Sequence, residues 1–199
     1  MRIAAPLLFL IASLSIPAKA DLTYIGSQAG LCCFDVTLHQ LTDAVQVTAT
    51  LTDGAEFFVD TGAGNHPGFA FNVDSGAITV SNVSAPWLLA MFHFTAVTTG
   101  GPAMGTFSYY FDNPGNGSSA HNPGPLQFTV NRSGITPTDF VANASGFFFA
   151  ADILDAAGAT GMSGISDPAR VPEPGSVLFL CLAALGGVAV LRKGASSRA

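Results

Sequence analysis

The chain has 199 residues, 49% of them hydrophobic and only 10% charged, with a formal net charge of −6. Residues 21–170 hold two arginines, Arg132 and Arg170, no lysine and twelve carboxylates, a balance of −10. Such a surface repels phosphate backbones and anionic lipid, which argues against nucleic acid as a partner. Its Phe and β-branched content argues against disorder.

At the N-terminus Arg2 precedes an apolar stretch, Ile3 to Ile16, and Ala18-Lys19-Ala20 puts small residues where a signal peptidase reads them. Residues 1–20 therefore read as a secretory signal peptide, cut between Ala20 and Asp21. An exported domain follows over 21–166, long enough for one substantial core. It carries only two cysteines, the adjacent Cys32 and Cys33. Two neighbours can form a strained ring, bond to another chain, or remain small buried thiols; no disulfide framework exists.

From Phe34 onward the apolar period is two. Phe34, Val36 and Leu38 alternate with Asp35, Thr37 and His39, and Val45, Val47, Ala49 and Leu51 alternate with polar residues, with Thr42-Asp43 as the turn between. That is the pattern of a hairpin with one face buried. Further strands are expected at 56–59, 69–73, 77–83, 91–97, 106–111, 126–131, 138–141 and 147–153, divided by Gly, Pro, Asn and Asp turns. Residues 86–91 could form one helical turn. About ten short strands predict an all-β fold, a single β-sandwich or jelly-roll-like domain.

Two stretches read alike. Phe57-Phe58-Val59-Asp60 leads through a Gly/Asn loop to His66-Pro67-Gly68 and a strand; Tyr109-Tyr110-Phe111-Asp112 leads through a longer loop to His121-Asn122-Pro123-Gly124 and a strand. Shared turn chemistry or internal duplication would each produce this. Asp60 and Asp112 are weak Ca²⁺ candidates, since the loops offer hard oxygens but lack the spaced ligands and closing Glu of an EF-hand. His39, His66, His93 and His121 have no zinc spacing. No metal, cofactor, phosphate loop or nucleophile elbow is expected.

Consecutive aromatics must point to opposite faces of a strand. Phe57 or Phe58, Tyr109 or Tyr110, and Phe148 are thus candidates for exposure. With Trp87 and Tyr24 they could form a sugar-stacking face; a strand buried on both sides accounts for the same residues.

The tail is the most specific element. Val171-Pro172-Glu173-Pro174-Gly175-Ser176 leads into an uncharged run, Val177 to Leu191, stopped by Arg192-Lys193. The parts divide as a linker (167–176), a membrane helix (177–191) and a basic tail (192–199). As a helix, the 17 residues from Gly175 to Leu191 would span about 25 Å, the short end for a bilayer. The basic pair would stay cytoplasmic and the domain outside.

Motif, span and basic stop resemble the PEP-CTERM sorting signal of Gram-negative bacteria, a region also labelled an ice-binding-protein C-terminal domain. The resemblance covers about 25 of the 199 residues and concerns sorting alone. It implies export through signal peptidase, a transient inner-membrane anchor, and cleavage by an exosortase at Pro172-Glu173-Pro174. It also implies residence at the cell surface or outside, with links to exopolysaccharide and biofilm. The expected function is a non-enzymatic exported surface or matrix protein. The alternatives are a carbohydrate-binding module for exopolysaccharide and an extracellular hydrolase.

Overall fold

The computed structural model describes residues 21–25, 28–30, 34–54, 56–61, 67–90, 94–96, 104–113 and 117–166, all within one compact unit, Asp21–Val171. The expected signal peptide (1–20), Cys32, Cys33, the Pro172-Glu173-Pro174 segment, the 177–191 run and Arg192-Lys193 lie outside the described residues. Among those described, no helix is long and apolar enough to cross a membrane.

The fold is all-β. Its strands are β1 (Leu22–Ile25), β2 (Gln28–Gly30), β3 (Phe34–Leu41), β4 (Ala44–Leu51), β5 (Phe57–Asp60), β6 (Phe69–Phe71), β7 (Thr79–Ser81) and β8 (Leu88–Ala90). They continue as β9 (Phe94–Ala96), β10 (Gly105–Phe107), β11 (Tyr109–Asp112), β12 (Gly117–Asn122), β13 (Leu126–Asn131), β14 (Phe149–Leu154) and β15 (Thr160–Ile165). All pair antiparallel. A five-stranded sheet runs β1-β3-β4-β13-β7. A larger sheet runs β12-β5-β14-β6-β11-β8, with β15 between β14 and β2, and β9 pairs with β10.

The expected hairpin is present: β3 and β4 pair from Phe34↔Leu51 to Leu41↔Ala44. Asp43 takes φ 52° in its turn, a conformation that Asp tolerates better than most residues. The alternating apolar residues meet those of the larger sheet. Val36, Leu38, Val45, Val47, Phe128 and Val130 share one core with Phe58, Phe69, Phe71, Phe111, Phe149 and Ile153. The Phe128 ring lies 4.5 Å from that of Phe111, 5.2 Å from Phe71 and 6.1 Å from Phe69, so aromatic contacts join the two sheets. Each fully buried Phe stabilises the fold by about 1.5–3 kcal/mol.

Several expected elements differ. Residues 138–141 are no strand: Pro137–Asp139 is a 3-10 turn, and Phe140 makes only an isolated bridge to Val73. Pro137 lacks a ladder donor, and the Asp139 carboxylate accepts the Thr136 amide (2.8 Å), closing a local turn instead. Residues 88–90 form a strand where a helical turn was considered. The 106–111 strand divides at Ser108, whose amide donates to Asn72 Oδ1 at 2.8 Å. Strands β1, β2, β12 and β15 lie outside the expected set. In β2, β12 and β15 Gly and Ser are poor strand formers, and pairing carries them, whereas β1 is a short run of strand-favouring residues, Leu-Thr-Tyr-Ile.

The duplicated pattern does not extend to the fold. The strand after the first loop, β6, joins the larger sheet, while its counterpart β13 joins the five-stranded one.

A smaller apolar cluster covers the outer face of the larger sheet. Tyr110, Ala70, Ala150 and Gly164 stand in one row across β11, β6, β14 and β15. Met104, Phe107, Phe147 and Met162 pack with the two alanines of this row, and Tyr110 packs against them. A Cβ at Gly164 would lie 2.6 Å from Met104 Sδ and 2.7 Å from Phe147, so any side chain there would have to push this cover aside.

Candidate functional site

The larger sheet is interrupted at one level. Along one edge β14 pairs with β15 through its whole length, from Phe149↔Ile165 to Leu154↔Thr160. Its other edge is divided: Phe149 to Ala151 face β6, while Ile153 and Leu154 face β5. Phe58 stands opposite Ile153 and Phe69 opposite Ala151, so only Asp152 lies between. Yet the chain inserts the ten residues 59–68 there. The next strand breaks at the same level, since β11 continues β6's pairing and β12 that of β5, with residues 113–116 between them.

Alternation places Asp152 on the outer face, yet it is completely buried. Thr61, from the inserted segment, closes over it, donating its amide (2.7 Å) and its hydroxyl (2.6 Å) to Asp152 Oδ2. Across the second break, Asn113 Nδ2 donates to Ala120 O (2.7 Å) and Phe58 O (3.3 Å). Asn122 Oδ1 accepts the Gly124 amide at 2.9 Å. Both breaks are thus held by side chains that supply the hydrogen bonds a continuous strand would have made.

Asp60 and Asp112 end the strands that lead into these breaks. Burial raises the Tyr110 phenol above its ordinary value, and the carboxylates of Asp112 and then Asp60 add to the rise, so one phenol senses both acids. Burial also raises the Asp112 carboxyl. Among the described residues, no group of three or more His, Cys, Asp or Glu is placed to hold a metal ion.

The aromatic face differs from the expected one. Trp87 and Tyr24 are 4% and 2% exposed, and Phe58 is completely buried, so these three belong to the core. Trp87 and Phe58 pack edge to face at 5.3 Å; Tyr24 packs on Phe149 at 5.0 Å and on Phe148 at 5.2 Å. Tyr109 is half-buried and stacks on Phe71 at 5.2 Å. Among the described residues, Phe57 and Tyr110 are partly open on the outer face. Phe57 stacks on His121 with centroids 4.5 Å apart and planes 19° apart, and Tyr110 is half-buried beside Asp112.

Thr61, Asp152 and Asn113 were not anticipated as a group. One signal was present: Asp152 is the single charge within Phe147-Phe148-Phe149-Ala150-Ala151-Asp152-Ile153-Leu154. An acid inside an apolar strand must have partners waiting in the fold. No protein-family model, curated protein or solved structure matches the chain.

Proposed function

We propose that this is a non-enzymatic exported protein, routed by a PEP-CTERM tail to the cell surface or extracellular matrix and associated there with exopolysaccharide or biofilm. The observation that carries the reading is the ordered tail, Val171-Pro172-Glu173-Pro174, an apolar run and Arg192-Lys193. Support comes from a sandwich-like domain whose compact unit runs from Asp21 to Val171, between the two expected cleavage points. The partners are then export machinery, signal peptidase and an inner-membrane exosortase. The run 177–191 serves as a transient membrane helix, and a jelly-roll path for the strands belongs to the same proposal. Mass spectrometry of surface and secreted fractions tests it. The expected species starts at Asp21 and lacks the basic tail; an intact C-terminus through Arg198 as the main species overturns it.

A second reading, glycan binding, is favoured by the Phe57–His121 stack and by Tyr110 beside Asp112 on the outer face. Rings can stack on sugar faces while carboxylates accept hydroxyl protons. Pull-down on the producer's exopolysaccharide should weaken in Phe57→Ala and Tyr110→Ala; binding unchanged in both variants removes this reading.

A further inference from the structure

The signal-peptide cleavage point falls directly against folded structure. Leu22 already pairs with Leu38, followed by Thr23↔Thr37, Tyr24↔Val36 and Ile25↔Asp35. Asp21, the residue just before this first rung, lies 2.6 Å from His39 Nδ1 through its Oδ1. The ring of Tyr24 is buried against Phe149 and Phe148. No spacer therefore separates the scissile bond from the sheet.

A peptidase must hold its substrate as an extended segment on both sides of the cleaved bond, with the carbonyl open to the nucleophile and to the oxyanion donors. On the downstream side, that segment is Asp21 to Thr23. We propose that hydrolysis of the Ala20–Asp21 bond and docking of β1 onto β3 exclude one another, so that signal cleavage must precede closure of the five-stranded sheet. In the reaction, water supplies a hydroxyl to the Ala20 carbonyl carbon and a proton to the Asp21 nitrogen as the amide breaks. A precursor that folds first becomes a poor substrate, cut only in the fraction of molecules whose β1 has opened. At the other end, six residues, 166–171, lie in sequence between Ile165, the end of β15, and Pro172. The proposal rests on the export reading and adds an order of events to it.

The test uses the full-length precursor in detergent, refolded or freshly diluted from urea, with purified signal peptidase and mass spectrometry of the new N-terminus. The refolded precursor should be cut before Asp21 at least about tenfold more slowly than the unfolded one. A six-residue Gly/Ser insert between Asp21 and Leu22 should abolish the difference, and Tyr24→Ala, which loosens β1, should narrow it. Equal rates for folded and unfolded wild type overturn the proposal, as does an insert that leaves the difference intact. Absence of cleavage before Asp21 in the unfolded and inserted precursors alike overturns the signal-peptide reading itself, and the proposal with it.

Discussion

Thr61 donates both its backbone amide and its hydroxyl to a single oxygen of Asp152, at 2.7 and 2.6 Å, where the larger sheet is broken. The pair joins a segment that has left the sheet to the strand it left. Thr61→Val keeps the shape and the amide bond but removes the hydroxyl donor to a buried carboxylate. It should destabilise the domain by about 1–3 kcal/mol, and Thr61→Ser should recover most of the loss. Urea unfolding midpoints measure both; a valine variant as stable as wild type would show that the hydroxyl contributes nothing.

Arg132 links three parts of the chain. From the end of β13 its guanidinium reaches Asp74 (2.7 Å), Asp139 (3.0 Å) and the Ser75 carbonyl (3.1 Å). The hydrogen bond to Asp74, with the charges of Asp74 and Asp139, raises its pKa against desolvation, so it stays charged. Arg132→Met should cost about 1–3 kcal/mol and release the 3-10 turn. Faster amide exchange at Asp74, which donates to the Asp139 carbonyl, should accompany the loss; unchanged exchange there would assign the cost elsewhere.

The raised carboxyl of Asp112 gives stability a pH dependence of definite sign. The folded domain holds this proton more tightly than the unfolded chain does, so ionisation as pH rises through the carboxylate range lowers stability. Asp112→Asn should therefore raise the melting temperature at neutral pH. The gain should disappear in acid, where both states carry the proton. With much of the side chain near water, it should stay within about 1 kcal/mol. A gain that persists unchanged at low pH would point to packing instead.

Tyr110 reports on the same acids. Its phenol should ionise at a higher pH than a free phenol, through burial first and then through Asp112 and Asp60. Ultraviolet titration of wild type against Tyr110→Phe isolates this transition. Asp112→Asn and Asp60→Asn should each move it down, with Asp112→Asn having the larger effect. No movement in either would separate the phenol from the acids.

Gly164 tests the cover over the outer face. Gly164→Ala would press a methyl into Met104 Sδ and Phe147, and should cost about 1–3 kcal/mol. Pairing it with Met104→Ala should recover part of the cost, measurable as non-additive melting shifts.

The β3–β4 hairpin was legible because each residue reports its own face: Val36 and Leu38 go in, Thr37 and His39 go out. Strand β15 was not, because Gly161 and Gly164 carry no such report, and Gly164 is set by the Met104 and Phe147 side chains above it. Phe58 and Trp87 show the limit for site residues. Alternation says that Phe57 and Phe58 point to opposite faces, but not which face is inner; the pairing of Phe58 with Ile153 decides it. The break at Asp152 was hidden for another reason. It arises from β5 and β6 sharing one edge of β14, a relation between segments about ninety residues apart.

The position of β15 has a mechanical consequence. It is an interior strand, joined to β14 on one side and to β2 on the other, and among the described residues it is the last strand of the chain. A pull applied along β15 from its C-terminal end meets both of these edges. The rungs on both of its edges then bear the load together, in shear, rather than opening one after another. A domain loaded through the end of β15 would thus resist by parting nine rungs together, six to β14 and three to β2.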